Sequence, residues 1–296
     1  MSKPNVIAIV GPTASGKTSF AINLAQQLGT EIISADSRQF YKELPIGSAM
    51  PSPDELLLAK HHFIACRSVS EEYAAGSYAH DARKIIAELH TQGKTAIICG
   101  GSGLYIQALL YGMDRFPEVS ETIKNEVEEI FRDGGIKHLQ NALQQIDPTY
   151  FSEVDIHNPA RLRRALEVSL SSGKPYSSFR SNTNQPLYNF KAFGLDIPKK
   201  ELHARIEKRV DQMVIDGLET EAQHVYPYRT LKSLQTVGYK EFFDYFDGNI
   251  TKPACVDLIK IHTRQYAKRQ LTWFNKQLPV EWIPPHHGLN PILSVL

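Results

Sequence analysis

Five consecutive apolar residues, Val6 to Val10, run into the glycine-bearing stretch GPTASGKT, and the period then changes. Phe20, Ala21, Ile22, Leu24, Ala25 and Leu28 recur at helical spacing. An apolar run with no polar member predicts a strand buried on both faces of a parallel sheet, and the change of period predicts a helix over Lys17–Leu28. Further strands are predicted at Glu31–Ala35, His62–Ala65, Thr95–Cys99 and Phe190–Leu195, with helices at Ser77–Gln92 and Leu104–Leu110 between them. Strands alternating with helices imply an α/β fold, a doubly wound parallel sheet whose ligands collect at the carboxyl ends of the strands.

The alternation stops between about residues 114 and 188. There the strings VSETIKNEVEEIFRDGG, IKHLQNALQQI and NPARLRRALEVSLSSGK carry helical spacing without strands. This predicts three segments: the first part of a P-loop core at 1–113, a small helical insertion domain at 114–188, and completion of the core with basic C-terminal helices at 189–296. In the last segment, long helices are predicted at Lys199–Ile215 and Pro253–Lys276.

Gly11 and Gly16 frame the pattern G-x-x-x-x-G-K-T, with Pro12, Thr13, Ala14 and Ser15 between them and Lys17 and Thr18 closing it. Strand, glycine loop and helix are the context in which this motif binds phosphate. Successive backbone N–H groups and the helix N-terminus present positive charge to an anion. Lys17 adds a mobile cation, and the Thr18 hydroxyl is a ligand for Mg²⁺. A diphosphate or longer group is expected in this loop.

Composition narrows the setting. The chain has 296 residues, enough for a large core, and three cysteines, Cys66, Cys99 and Cys255, none in C-x-x-C spacing. A zinc site and a disulfide framework are therefore not expected. No run approaches the length of a membrane span, and the start reads as strand and loop rather than a signal peptide, so a cytoplasmic setting is expected. Net charge is only +1, yet residues 1–150 carry 13 Lys and Arg against 17 Asp and Glu, and residues 151–296 carry 20 against 15. The basic second half fits either a polyanionic partner or an ordinary solvated face.

A phosphoryl-transfer enzyme of this class places a second acid at the end of a buried strand to hold Mg²⁺. The strand TAIIC instead runs into GGSGLY. The candidate acid is Asp36 in EIISADSRQFY, at the carboxyl end of the second strand, where a carboxylate takes a proton from a nucleophile beside bound phosphate. Arg38 and Gln39, in the same turn, offer planar donors, Gln39 being suited to a base edge.

Near the other end, LIKIHTRQYAKRQLTWF spaces Lys260, Arg264 and Lys268 at i, i+4 and i+8, with Arg269, Tyr266, Trp273 and Phe274 interleaved. Leu258, Ile261, Tyr266 and Leu271 are expected on the buried side. Such a helix is either a solvated amphipath or a nucleic-acid-facing stripe. The string NPARLRRALEV adds Arg161 and Arg164 on one helical face with Arg163 off it. Lys240 in LQTVGYKEFF follows a glycine turn, where a cation reaches a phosphate.

Taken together, GPTASGKT, ISADSRQFY, GGSGLYIQALLYG, RLRRALEV, VGYKE and TRQYAKRQLTWF resemble the tRNA dimethylallyltransferase (tRNA isopentenyltransferase) family, in family order across residues 5 to 275. The resemblance implies transfer of a dimethylallyl group from its diphosphate to the exocyclic amine of the adenine 3′ of the anticodon. It implies Asp36 as the general base, Thr18 as the Mg²⁺-linked hydroxyl, and Lys17, the loop amides and Lys240 as the diphosphate site. Ser102, where the family usually has threonine, is placed near the reacting amine. Asp36, Ser37, Arg38, Gln39 and Ala160, Arg161, Leu162, Arg163 and Arg164 match segments that contact the anticodon stem-loop of tRNA. A monomer of the bacterial type is implied, without the C-terminal zinc finger of larger eukaryotic relatives.

Two positions depart from the family pattern. Met50 stands where a lysine is usual and Ala65 where an acid is usual, so neither is given a role. His61 and His62 read as turn or core histidines. The rival functions are an adenylate isopentenyltransferase acting on free nucleotide, a P-loop small-molecule kinase, and a nucleic-acid-binding module without catalysis.

Overall fold

The apolar run forms strand β1, Asn5–Val10, buried from Val6 onward. The structure, a computed structural model, describes residues 3, 5–180 and 185–294. Helix α1 (Lys17–Leu28) follows the loop and leads to β2 (Ile32–Ser34), α2 (Pro53–Leu58), β3 (His61–His62), α3 (Ala75–Thr91), β4 (Ala96–Gly100) and α4 (Gly103–Tyr111). Helices α5 (Glu121–Ile146), α6 (Pro148–Glu153) and α7 (Pro159–Ser172) come next. The chain then adds β5 (Asn189–Leu195), α8 (Lys199–Ile215), α9 (Leu218–Val225), α10 (Tyr239–Phe246), α11 (Lys252–Gln277), β6 (Val280–Ile283) and α12 (Asn290–Leu293).

The six strands form one sheet in the order β3-β2-β4-β1-β5-β6, parallel at every pairing. The pleat of β1 explains its all-apolar run. Val6, Ala8 and Val10 pack with α3 and α4, against Tyr78, Ile86, Ile106 and Leu109. Ile7 and Ile9 face the other way and pack with Ala21, Ile22, Leu24 and Ala25 of α1. A strand covered by helices on both faces needs apolar residues at every position.

Two compact units result, Met1–Gly112 with Pro186–Leu296, and Met113–Gln185. The second holds α5 to α7 around Val127, Leu139, Leu143, Leu162, Ala165 and Leu166. Helical geometry is interrupted within α5 at Gly134 and Gly135, the latter at φ +62°.

Three sequence expectations are corrected here. Strand β3 is only two residues, because Phe63 and Ala65 take φ of +63° and +48° and cannot continue an extended chain. Strand β6 was not expected; it is a short V-E-W-I alternation between Pro279 and Pro284 that pairs with β5. The buried face of α11 consists of Cys255, Ile259, Ala267, Gln270 and Phe274, whereas Ile261 and Tyr266 are 38% and 37% exposed. Periodicity in large apolar residues misreads a helix whose packed face is partly small and polar.

Candidate active site

The loop between β1 and α1 turns through left-handed residues, Ala14 at φ +64° and Gly16 at +89°. Gly16 occupies the N-cap of α1, and no side chain caps the helix there. The first amides of α1 are therefore left for a ligand. Lys17 folds back so that its Nζ donates to the Pro12 carbonyl at 3.2 Å. Burial lowers the pKa of this ammonium, and the Asp36 carboxylate opposes that shift.

Asp36 stands two residues beyond the buried end of β2. Its Oδ1 accepts the Arg38 amide at 3.1 Å, which sets the turn and leaves the other oxygen to the crevice. The neighbouring strand end supplies Ser102. Its amide donates to the Ala35 carbonyl at 3.1 Å, and its hydroxyl accepts the Ser37 amide at 2.9 Å. Gly100 makes this approach possible, since a Cβ there would lie 2.2 Å from the Ala35 carbonyl oxygen.

Two cavities meet at Asp36. One, of about 200 Å³, is lined by Lys17, Thr18, Asp36, Cys99, Glu55 and Arg209, roofed by Ser48 to Pro51. Cys99 is buried, which pushes its thiol up to about 12 and keeps it protonated. The second, of about 80 Å³, shares Thr13, Asp36, Ser48 and Arg209 with the first. Tyr266 lines it, and desolvation of its ring end within the crevice and the charge of Asp36 push that phenol up to about 12.

Several residues here carry no signal in the primary pattern. Arg209 of α8 lies against the loop, donating to Thr13 Oγ1 at 3.4 Å, while Arg205 one turn earlier donates to the Ser15 carbonyl at 3.3 Å. Burial lowers the Arg209 pKa, and the charges of Asp36 and Glu55 oppose this. Gln270 of α11 accepts the Thr13 amide and donates to the Gly101 carbonyl, both at 2.9 Å. Glu221 of α9 accepts the amides of Ile46 and Gly47 at 2.8 Å and the Tyr239 phenol at 2.6 Å, pinning the segment that leads into the cavity roof. Sequence reading reaches such residues only through i, i+4 spacing, as for Arg205 and Arg209, and not through residue type.

Other predicted positions are placed as follows. The Gln39 amide is committed internally, donating to the Ala49 carbonyl at 3.0 Å and accepting from Ser34 at 3.1 Å, and so supports the roof rather than facing outward. The Arg38 guanidinium donates to the Ser233 carbonyl. Lys240 is exposed in the first turn of α10 and lines neither cavity, whereas Thr236 to Gly238 just before it do. His61 and His62 bond to the Ala59 carbonyl and to Glu31, respectively.

The C-terminal stripe is divided. Lys260 pairs with Asp211 at 2.5 Å and Arg264 with Glu207 at 2.6 Å, so both bind α11 to α8. Lys268 is exposed. In the helical unit, Leu162 is fully buried in the core and Arg163 pairs with Glu128 at 3.2 Å over the Phe131 ring. Ala160, Arg161 and Arg164 are exposed.

The donor set fits a hard divalent ion that arrives with its diphosphate. Thr18, Asp36 and Glu55 bring oxygen ligands to one cavity, and among the described residues no three or more His, Cys, Asp or Glu side chains group as a metal site of their own. Mg²⁺ is held in this manner, by one or two carboxylates, substrate phosphates and water.

A phosphate loop whose neighbouring strand ends in glycine and serine, with the acids at its crevice supplied by Asp36 beyond β2 and Glu55 of α2, marks a P-loop fold without the strand-end acid of phosphoryl-transfer enzymes. The family model described as IPP transferase matches residues 39–277. The chain belongs to the IPP transferase family. It is 46% identical over 279 residues to the tRNA dimethylallyltransferase of Christiangramia forsetii, covering 94% of this chain and 92% of that one. Identity to the tRNA dimethylallyltransferase of Flavobacterium johnsoniae is 44% over 299 residues, covering 98% and 96%. The solved tRNA isopentenylpyrophosphate transferase of Bacillus halodurans superposes with a TM-score of 0.70 at 36% identity, covering 95% of this chain and 90% of that chain. A eukaryotic dimethylallyltransferase acting on tRNA gives a TM-score of 0.80 at 25% identity, covering 97% and 76%.

Proposed function

We propose that this protein transfers a dimethylallyl group from dimethylallyl diphosphate to the exocyclic amine of an adenine in tRNA. The observation that carries the reading is the position of Asp36, at the junction of the loop cavity and a smaller one that has an apolar wall of Val210, Met213, Leu218, Val237 and Ile259. In this arrangement the amine nitrogen attacks the first carbon of the prenyl chain as the bond from that carbon to the diphosphate oxygen breaks. The amine proton passes to Asp36. An aryl amine is a weak nucleophile, so a carboxylate within reach of its proton lowers the barrier. Lys17, Arg209 and the first amides of α1 hold the departing diphosphate, where prearranged donors stabilise developing charge. Mg²⁺, bound through Thr18 and the diphosphate, would add to that neutralisation.

The target base is the adenine 3′ of the anticodon, and the partner is the anticodon stem-loop. A base there leaves its stack at a cost of about a few kcal/mol, less than in a duplex. Arg161 and Arg164, exposed on α7, supply charge for the RNA backbone. The protein works as a monomer in the cytoplasm, where tRNA is modified. A free-nucleotide substrate is less well supported, because the tRNA-acting relatives align over nearly the full chain.

Incubation of labelled dimethylallyl diphosphate with unmodified tRNA, AMP or neither tests the reading. Label in tRNA alone is expected. Label in AMP at a comparable rate overturns the assignment, as does phosphoryl transfer from labelled ATP.

Two variants divide the surface. Lys17→Ala is expected to weaken dimethylallyl diphosphate binding at least about tenfold, as a charge-assisted contact is lost, with tRNA affinity nearly intact by filter binding. Lys260→Glu is expected to leave the salt slope of tRNA binding unchanged, because Lys260 is spent on Asp211. Lys268→Glu is expected to flatten that slope by about one unit or slightly less, the contribution of a single phosphate contact. A reversed pattern in salt titrations would return Lys260 to the RNA interface.

A further inference from the structure

We infer that Glu221 of α9 and Tyr239 of α10 are positioning residues for the loop cavity, clamping the strap 46–51 over the space assigned to the diphosphate. The inference rests on the proposed prenyl transfer for the identity of the donor, and adds what holds the donor's site in shape. Glu221 is 8% exposed, and its partners are two backbone amides and a phenol. Oε2 accepts the Ile46 amide and Oε1 the Gly47 amide, both at 2.8 Å, and Oε1 also accepts the Tyr239 phenol at 2.6 Å. Burial and the charge of Glu221 raise the pKa of that phenol well above its ordinary value, so it stays a donor. The approach needs Gly47, since a Cβ there would lie 2.4 Å from the Tyr239 hydroxyl oxygen. A carboxylate buried among neutral donors costs desolvation that an apolar side chain on α9 would not. The strap is what that carboxylate holds.

The strap needs holding. Its backbone turns tightly, the amides of Ser48, Ala49 and Met50 donating to the carbonyls of Leu44, Ile46 and Pro45 at 3.2, 2.9 and 3.0 Å. Ala49 lies at φ +50°, a left-handed conformation that a residue with a Cβ keeps only where its surroundings enforce it. Two tethers do so. Glu221 takes the start of the strap, and Gln39 donates to the Ala49 carbonyl at 3.0 Å. Gln39 belongs to the turn that carries Asp36, so the strap is strung between that turn and the α9–α10 pair.

Ser48 to Pro51 wall the cavity of about 200 Å³ that contains Lys17, Thr18 and Arg209. Covered in this way, the two cations act on an anion through less water and a lower dielectric. The strap also delivers Glu55 to the same cavity. Ser52, the next residue, caps α2: its amide donates to Glu55 Oε2 at 2.9 Å and its hydroxyl accepts the Glu55 amide at 3.2 Å. A strap released from Glu221 therefore loosens the anion site and its neighbouring carboxylate together. The part of VGYKE that reaches this cavity is thus Tyr239, acting through the strap.

Glu221→Gln keeps one acceptor oxygen and turns an NH₂ group toward the Ile46 amide, donor against donor. The Kd of inorganic diphosphate with Mg²⁺, measured by calorimetry, is expected to rise about tenfold, the scale of one buried amide left unpaired. The KM for dimethylallyl diphosphate is expected to rise with it, while kcat at saturating donor falls by a smaller factor and tRNA affinity holds. Exchange of the Ile46 amide hydrogen should quicken ahead of the β1 amides. Tyr239→Phe leaves both amides on the carboxylate, so the same shift is expected at about threefold. If Glu221→Gln does not fold, Tyr239→Phe decides the matter. Folded variants with wild-type diphosphate affinity, or a loss confined to kcat, overturn the clamp. A wild-type protein that binds diphosphate but does not prenylate tRNA overturns the function and leaves the clamp standing, which keeps the two failures distinct.

Discussion

Asp36→Asn is expected to lower kcat about 10²–10⁴-fold, the usual contribution of a single positioned base. The substitution is nearly isosteric. Its remaining oxygen still accepts the Arg38 amide, so the turn beyond β2 survives and the loss isolates proton acceptance. Single-turnover rates with saturating tRNA and dimethylallyl diphosphate measure the effect, and turnover near wild type across neutral pH would remove Asp36 from the reaction. A second signature follows from charge. Burial lowers the Lys17 pKa and the Asp36 carboxylate holds it up, so the neutral amide lowers it further. The protonated ammonium is the form that grips diphosphate. Diphosphate affinity in the variant should therefore begin to fall at a lower pH than in the wild type, as titration calorimetry across a pH series would show.

Gly100→Ala is expected to damage both the fold and the site. A Cβ at this position would lie 2.2 Å from the carbonyl oxygen and 2.3 Å from the carbonyl carbon of Ala35. These are backbone atoms in the sheet, so no rotamer change relieves the contact. Overpacking of this kind costs about 1–3 kcal/mol and sometimes more. The atoms forced apart are those that bring Asp36 beside Ser102, so the expected stability loss in urea titrations comes with a larger proportional loss of kcat than of diphosphate affinity. Wild-type stability and activity in Gly100→Ala would show that the two strand ends need not approach so closely.

Local patterns made much of this arrangement legible. Five apolar residues, a glycine loop and a change of period identify β1, the loop and α1, because each depends on neighbours within a few positions. Asp36 at a strand end is legible for the same reason. The parts that escaped depend on distant partners. Gln270 reads as one polar residue in a charged helix until the fold sets it between Thr13 and Gly101. Lys260 and Arg264 read as a stripe until α8 presents Asp211 and Glu207 to them. Strand β6 has only four residues, and its pairing with β5 rather than its composition makes it a strand. Gln39 shows the limit of residue type as a guide, since an amide suited to a base edge is here spent on the protein's own backbone.

The bond between Gln270 and Thr13 spans 257 positions of the chain. Strand β1 likewise has β5 as one of its two neighbours, a segment that follows the helical insertion. On the ribosome, then, the glycine loop emerges long before the partners that shape it. The nascent chain carries a recognisable nucleotide-type motif but no finished crevice until α11 has been synthesised and docked. Activity is thereby coupled to completion of the chain, and a prematurely terminated product lacking α11 would have the loop without the grip. In the mature protein the same link ties the solvent exchange of the Thr13 amide hydrogen to transient release of a helix near the opposite end of the sequence.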